Sequence, residues 1–185
     1  MISRRSFLFA SLAVVATPSL ASSQGGKAFV IPPEFQPRQV DNPGHAAGTL
    51  VVDTGNRQLV LVETQRFAIR YPIAVGRAGL AFKGAATVDR KAKWPRWRPT
   101  QNMIRRNPKR YARYANGVAG GRSNPLGARA LYLYRDGRDT MYRIHGTNEP
   151  SSIGRAVSNG CIRMFNEHVE DLYERVPLGT KVFVL

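Results

Sequence analysis

The stretch Thr49-Leu50-Val51-Val52-Asp53-Thr54-Gly55-Asn56-Arg57-Gln58-Leu59-Val60-Leu61-Val62 decides the fold class. Two runs of β-branched and leucine residues flank a turn containing Gly55 and Asn56, the pattern of a β-hairpin. Strand signals continue outward. Phe67, Ile69 and Tyr71 alternate with Ala68 and Arg70, and Pro72-Ile73-Ala74-Val75 leads to a turn at Gly76. Residues 130–135 and 141–145 make a second hairpin around Asp136-Gly137, and residues 180–185 a terminal strand. Helical signals are few. Thr100 can cap a short helix that ends before Pro108. Asn166 can cap a helix over residues 167–176, with Glu167, Glu170 and Asp171 near its N-terminus, where the helix dipole favours anions. Val169, Leu172, Tyr173 and Val176 recur at helical spacing, so one face of it packs on the strands. The expectation is a mainly β domain with short helices.

Composition narrows the function. The chain has 185 residues, 43% of them hydrophobic, which supports a core and excludes a disordered basic tail. Its single cysteine excludes an intrachain disulfide framework and any multi-cysteine zinc or iron–sulfur site. With 28 Lys and Arg against 12 Asp and Glu, the net charge of +16 points to an anionic partner. Residues 1–21 place Arg4-Arg5 before Ser6-Phe7-Leu8 and an apolar run to Ala16. Small residues Ser19 and Ala21 stand where a signal peptidase reads. This reads as an export signal of the twin-arginine kind. The apolar run is about half the ~20 residues a membrane-spanning helix needs. Removing residues 1–21 takes away only Arg4 and Arg5 among the charges, leaving 26 basic and 12 acidic residues, a net +14. The basicity therefore belongs to the remainder. Export argues against a nucleic-acid partner, and no nucleic-acid recognition motif is present.

Residues 22–46 read as an extended N-terminal arm with little regular structure, punctuated by Gly25-Gly26, Pro32-Pro33, Pro37 and Pro43-Gly44. The middle of the chain is unusual. Arg90, Lys91, Lys93, Arg96, Arg98, Arg105, Arg106, Lys109, Arg110 and Arg113 are ten basic residues with no acidic one between the first and the last. Such a segment is a poor core element. It reads either as a solvated loop or as a lid or wall of a groove for an anionic polymer. Trp94 and Trp97 would then stack on that polymer or anchor the loop.

An unpaired cysteine in an exported protein is a candidate reactive thiol. Cys161 lies in Ser158-Asn159-Gly160-Cys161-Ile162-Arg163-Met164. Gly160 permits a tight turn, and the Gly160 and Cys161 N–H groups are candidates for an oxyanion hole. Arg163 can lower the thiol pKa or hold a substrate carboxylate. Of three histidines, His45 falls in the arm and His168 in the first turn of the last helix, as a solvated or packing residue. His145 ends an apolar strand and enters Gly146-Thr147-Asn148, where chemistry tends to be placed. A Cys161/His145 dyad competes with an inert buried cysteine near an unrelated histidine. No closely spaced ligand pair supports a metal site, and no Gly-x-Ser-x-Gly elbow supports a serine hydrolase.

The residues Ile144-His145-Gly146-Thr147-Asn148-Glu149-Pro150, Ser152-Ile153-Gly154 and Ser158-Asn159-Gly160-Cys161-Ile162-Arg163-Met164 together resemble the signature of the L,D-transpeptidase catalytic domain, the YkuD-type family. Residues 124–133 resemble the strand that precedes the motif, and residues 49–75 the opening strands; the likeness covers residues 47–185. It implies a β-sandwich-like catalytic domain acting on peptidoglycan stem peptides outside the cytoplasm, without a metal or organic cofactor. By that likeness Cys161 is the nucleophile, His145 the base and the Gly146 carbonyl the group that orients the imidazole. Ser158 and Arg163 match motif positions, and Gly160 and Asn159 border the oxyanion and substrate site. The family's cysteine attacks the diaminopimelate carbonyl of a tetrapeptide stem and releases D-alanine. An amine of another stem then resolves the thioester, giving a 3→3 cross-link. Water, a D-amino acid or a lysine of an envelope protein serves as acceptor in other members. Two departures stand out. Asn159 occupies the place of a second histidine in many members, and Ala85-Ala86-Thr87 stands where the family often has Thr-Pro-x-Gly. A sortase-like enzyme fits the spacing less well. A non-catalytic module binding anionic wall polymer through residues 90–113 is the rival from another class.

Overall fold

The computed structural model describes residues 29–77, 80 and 82–185. The export signal read at residues 1–21 and the start of the arm lie outside the described residues. The fold belongs to residues 31–185. In chain order its strands are β1 (Arg38–Asp41), β2 (Leu50–Asp53), β3 (Gln58–Val62), β4 (Phe67–Pro72), β5 (Val75–Gly76) and β6 (Gly84–Lys93). The short helices α1 (Gln101–Arg106) and α2 (Pro108–Tyr111) follow, then β7 (Arg129–Arg135) and β8 (Arg138–His145). After them come β9 (Ala156–Ser158), β10 (Ile162–Arg163), α3 (Asn166–Arg175) and β11 (Thr180–Val184). The mainly β class with short helices is the one expected.

The opening hairpin forms in the register Leu50↔Leu61, Val51↔Val60 and Val52↔Leu59. Its turn is held by Asp53, whose carboxylate accepts from the Asn56 backbone N–H at 2.9 Å and the Asn56 side chain at 2.7 Å; these bonds hold its pKa below the usual value. Both faces of the hairpin are apolar because both are covered. Leu50, Val52, Leu59 and Leu61 enter the main core, while Val51, Val60 and Val62 pack with Ala68 on the other side. Within the arm, residues 38–41 form an edge strand paired with β4.

One nine-stranded sheet runs β1-β4-β3-β2-β11-β6-β7-β8-β10, and a two-stranded parallel pair joins β5 to β9. Residues from strands far apart in this order, such as Tyr71 on β4 and Ile162 on β10, share one core with Val169 and Leu172 of α3. The sheet therefore curls around the helix. Its ends meet where Ala74, just past β4, exchanges two 2.9 Å backbone hydrogen bonds with Arg163 on β10. That closure fixes the site.

Two expectations need correction. The first part of the basic segment is a strand: β6 is ten residues long and central, and its cations have structural partners. Lys91 donates to the Val176 carbonyl at 2.7 Å and to the Tyr173 carbonyl, capping the C-terminal end of α3, where the helix dipole favours a cation. Arg90 stacks over the Tyr132 ring. The second concerns Asn166, which is the first residue of α3 and makes no cap there; Phe165 takes the cap position. Thr100 does cap α1, accepting from the Met103 N–H at 3.2 Å.

His168 is a packing residue. It is 3% exposed, between the rings of Tyr71 and Phe165, and neither ring nitrogen has a partner among the described residues. Burial pushes its pKa down to about 4 from 6.5, partly countered by Asp171. The unfolded chain therefore binds the extra proton first as pH falls. The stabilisation from a neutral His168 is complete above about pH 6.5 and is lost on descending toward pH 4. In thermal unfolding, a His168→Leu variant is expected to lose less of its melting temperature between pH 7 and pH 4.5 than the parent protein. An equal loss in both would show that this histidine does not drive acid sensitivity.

Candidate active site

His145 is the last residue of β8, and Cys161 is the residue before β10. The two strands pair in parallel with Ile162 opposite Ile144 and Arg163 opposite His145. Continuing that register places Cys161 level with Arg143, so residues 143, 145, 161 and 163 share one face of the sheet. His145, Cys161 and Arg163 accordingly line one cavity of about 410 Å³. Two candidate groups sixteen positions apart in sequence are brought together by two rungs of sheet.

The imidazole is held tightly. His145 is 4% exposed, and its Nδ1 lies 2.6 Å from the Gly146 carbonyl oxygen. A carbonyl only accepts, so Nδ1 carries the proton and Nε2 is left as an acceptor. Burial, reinforced by the Arg163 guanidinium, pushes the His145 pKa down to about 3, against an opposing contribution from the Gly146 carbonyl. Burial also pushes the Cys161 thiol up, opposed by a hydrogen bond from the Arg143 N–H and by the charges of Arg143 and Arg163. At neutral pH both groups are therefore uncharged.

The turn before the thiol is braced from within. Ser158, 2% exposed, donates its hydroxyl to the Cys161 carbonyl at 2.6 Å and accepts from the Gly160 N–H at 3.1 Å. The Gly160 N–H, expected at an oxyanion position, is thus turned back onto Ser158. The Cys161 N–H has no acceptor among the described residues. Gly160 adopts φ +127°, and a Cβ there would lie 2.6 Å from the Leu80 carbonyl oxygen and 2.7 Å from the Tyr142 ring, so no side chain fits. Behind the thiol, β8 is bulged. Met141 has φ 64°, its N–H donates to Asp139 Oδ1 at 2.7 Å, and its carbonyl lies 4.0 Å from Cys161 Sγ. The Asp139 carboxylate also receives a two-pronged bond from Arg143, at 2.6 and 2.7 Å.

The remaining candidates reach toward the basic segment. Arg163 pairs with Glu149 at 2.8 Å, and Glu149 lies 3.9 Å from Arg110 of α2. Asn159 donates to the Tyr111 hydroxyl at 3.0 Å. Trp97 bonds the Val118 backbone and packs its ring on Tyr111 and Tyr114, which anchors this wall. Trp97, Met103, Arg110, Tyr111, Arg113 and Tyr114 thus form one side of the cavity. Among the described residues no three His, Cys, Asp or Glu side chains converge to hold a metal ion.

Asn166 is the residue that sequence reasoning misplaced. Its Oδ1 accepts from the Ala128 N–H at 3.0 Å and the Thr147 N–H at 3.2 Å, and its Nδ2 donates to the Thr147 carbonyl at 3.0 Å. It staples the loop after His145 to the segment before β7. A Cβ on either Gly127 or Gly146 would lie 2.2 Å from Asn166 Oδ1, so both glycines are set by this staple. The only sequence signal for it was an asparagine at a helix start beside a His-Gly-Thr run, and that signal also suits a helix cap. Asn166→Ala, which orphans two amides and a carbonyl, is expected to cost about 2–4 kcal/mol of stability in urea unfolding. A loss below about 0.5 kcal/mol would mean that water replaces the side chain without penalty.

Known proteins can be set against this geometry. Residues 47–184 match the family model of the L,D-transpeptidase catalytic domain. The probable L,D-transpeptidase ErfK/SrfK of Escherichia coli is 34% identical over 152 residues, covering 80% of this chain and 47% of that protein. A crystal structure from Brucella melitensis, named a probable carnitine operon oxidoreductase, is 54% identical with a TM-score of 0.58, covering 84% of this chain and 96% of that one. An L,D-transpeptidase from Mycobacterium smegmatis shares the fold at 16% identity and a TM-score of 0.56, covering 74% of this chain and 58% of that one. The chain spans about half the length of the first curated relatives it matches. By the match of residues 47–184, the chain belongs to the L,D-transpeptidase catalytic domain family.

Proposed function

We propose that this protein is an exported peptidoglycan L,D-transpeptidase that works through a Cys161 thioester. The observation that carries this reading is the pairing of β8 with β10, which opens Cys161 and His145 into one cavity while the Gly146 carbonyl fixes the imidazole tautomer. In the first half-reaction Cys161 Sγ attacks the diaminopimelate carbonyl of a tetrapeptide stem. Its proton passes to His145 Nε2. The tetrahedral oxyanion takes the Cys161 N–H, the donor of this turn not given to Ser158. The imidazolium returns the proton to the leaving nitrogen, D-alanine departs, and the thioester remains. In the second half-reaction an acceptor amine loses its proton to His145, attacks the thioester and frees the thiol. With a stem-peptide amine as acceptor the product is a 3→3 cross-link. Water, a free D-amino acid or an envelope-protein lysine would use the same acyl-enzyme. A module that only binds anionic wall polymer would need no thiol and imidazole lining one cavity, so that arrangement favours the enzyme. No helix among the described residues is long and apolar enough to cross a membrane. Export rests on the residues 1–21 pattern.

Incubated with a disaccharide tetrapeptide, the protein is expected to gain the mass of the acyl group and release D-alanine, and Cys161→Ala to do neither. D-alanine release by that variant would overturn the assignment.

The neutral dyad has its own signature. With the thiol pKa raised, less thiolate exists at pH 7, so iodoacetamide should alkylate Cys161 more slowly than a cysteine in a short peptide. Because His145 stays unprotonated down to about pH 3, kcat/KM should show no acid limb near pH 6.5. Fast alkylation at pH 7, or a limb at that pH, would instead indicate a resting thiolate–imidazolium pair.

A further inference from the structure

Strand β8 is longer than its partner at one place. Tyr132 pairs with Arg143 and Tyr134 with Asp139, so Leu133 alone on β7 faces Thr140, Met141 and Tyr142 on β8. Packing does not explain the apex of this bulge. The Met141 side chain is 58% exposed, and its backbone is left-handed at φ 64°, a conformation that residues other than glycine rarely adopt. Polar bonds hold it instead. Thr140 Oγ1 donates to the Leu133 carbonyl at 2.6 Å and accepts from the Tyr142 N–H at 3.2 Å. Asp139 accepts from the Met141 N–H and takes both prongs of the Arg143 guanidinium. Arg143 Nη1 also donates to the Tyr142 carbonyl at 2.9 Å.

Residues 139 and 143 are the two ends of the bulge, so their ion pair is a clamp across its neck. Arg143 is buried, with its guanidinium 4.3 Å from the centre of the Tyr132 ring. Taking a guanidinium out of water is costly, and an apolar pair of similar volume often serves stability as well. The clamp therefore points to a use beyond stability.

What the bulge meets is the thiol. Cys161 Sγ lies 4.0 Å from the Met141 carbonyl oxygen and takes a hydrogen bond from the Arg143 backbone N–H. The first group is an acceptor and suits the S–H of the neutral thiol. The second is a donor and suits the thiolate. Two backbone groups of one bulge thus serve both protonation states, and the proton can leave without the sulfur losing its place. Tyr142, from the same bulge, sets its ring against Gly160, and its hydroxyl donates to the Leu80 carbonyl at 3.1 Å. Asp139, Met141 and Arg143 do not line the thiol cavity. The device stands behind the sulfur rather than in the space open to a substrate.

We propose that the β8 bulge is the seat of the reacting sulfur, and that Asp139 and Arg143 are positioning residues that hold it through the Met141 carbonyl and the Arg143 N–H. This rests on the acyl-enzyme reading above and deepens it. With the clamp closed, Sγ keeps one position through proton loss and attack. With it open, Met141 leaves its left-handed conformation and the sulfur loses both backbone partners. The effect falls on the rate of attack and not on how tightly the stem peptide is held.

The test follows adduct formation on Cys161 with a disaccharide tetrapeptide in the parent protein, Asp139→Asn, Arg143→Lys and the double variant, with thermal unfolding as the check on the fold. Asp139→Asn keeps the size of the side chain but not its charge, and Arg143→Lys keeps the charge but not the fork. In each, the maximal rate of adduct formation is expected to fall at least about tenfold, with the half-saturating peptide concentration unchanged within about twofold. Because the two residues act as one clamp, the double variant should be no more than about twofold slower than the slower single one. Full activity in Arg143→Lys would overturn the proposal, since charge alone would then suffice. So would a loss confined to peptide binding, or losses that multiply in the double variant. If the parent forms no adduct, the functional reading fails instead, and the seat is judged by structure. Crystal structures of the single variants should then show the Met141 carbonyl outside hydrogen-bond reach of Sγ, and an unchanged bulge would overturn the seat. Should one single variant fail to fold, the other carries both measurements.

Discussion

Two rungs of parallel sheet carry the site. β10 has only two residues, and a strand that short has no stability of its own. It persists because both its edges are occupied: Ile162 and Arg163 pair with Ile144 and His145 on one side, and Arg163 exchanges two bonds with Ala74 on the other. The thiol is thus held at the seam where the curled sheet closes on itself. Its position depends on contacts far apart in sequence, from residue 74 to residue 163. The histidine depends on the same seam, since the Met164 N–H donates to the His145 carbonyl at 2.8 Å. Opposite, the Asn166 staple fixes the loop that supplies the Gly146 carbonyl. Both the thiol and the imidazole are therefore positioned by backbone, with side chains acting as braces.

The charge of the chain is not one feature but two. On β6 the cations are partners of the fold, with Lys91 at the carbonyl end of α3 and Arg90 on the Tyr132 ring. Beyond Trp97, Arg106, Arg110 and Arg113 line cavities. Carboxylates near the thiol are few and already engaged: Asp139 by Arg143, and Glu149 by Arg163 and Arg110. The pocket therefore presents excess positive charge to whatever enters. Burial, with the same excess, holds His145 neutral, so the residues that would attract an anionic ligand also keep this imidazole unprotonated.

The sequence made the hairpins legible because their signals are local. Apolar runs bounded by Gly-Asn or Asp-Gly carry both the strands and the turn, and β2–β3 and β7–β8 form where those signals stand. The His145 and Cys161 pairing was legible as a candidate from a lone thiol and a strand-end histidine, and became specific through the family signature. Spacing of sixteen residues says nothing about which strands adjoin, and β10 is too short to leave a periodic trace. The basic segment was half legible: ten cations mark something unusual, but a strand whose lysine caps a distant helix has the same composition as a loop.

Asn166 shows where local reasoning stops. An asparagine before Glu167 has an available cap role, worth about 1 kcal/mol. In the folded chain the same side chain meets three backbone groups of two loops, and leaving those buried groups unpaired would cost more than a cap returns. The tertiary use wins because it satisfies more groups. Gly127 and Gly146 then follow, since each must lack a Cβ for that carboxamide to fit. A side chain that answers several buried backbone groups at once outranks the local motif it resembles, and here that ranking is what holds the Gly146 carbonyl against the imidazole.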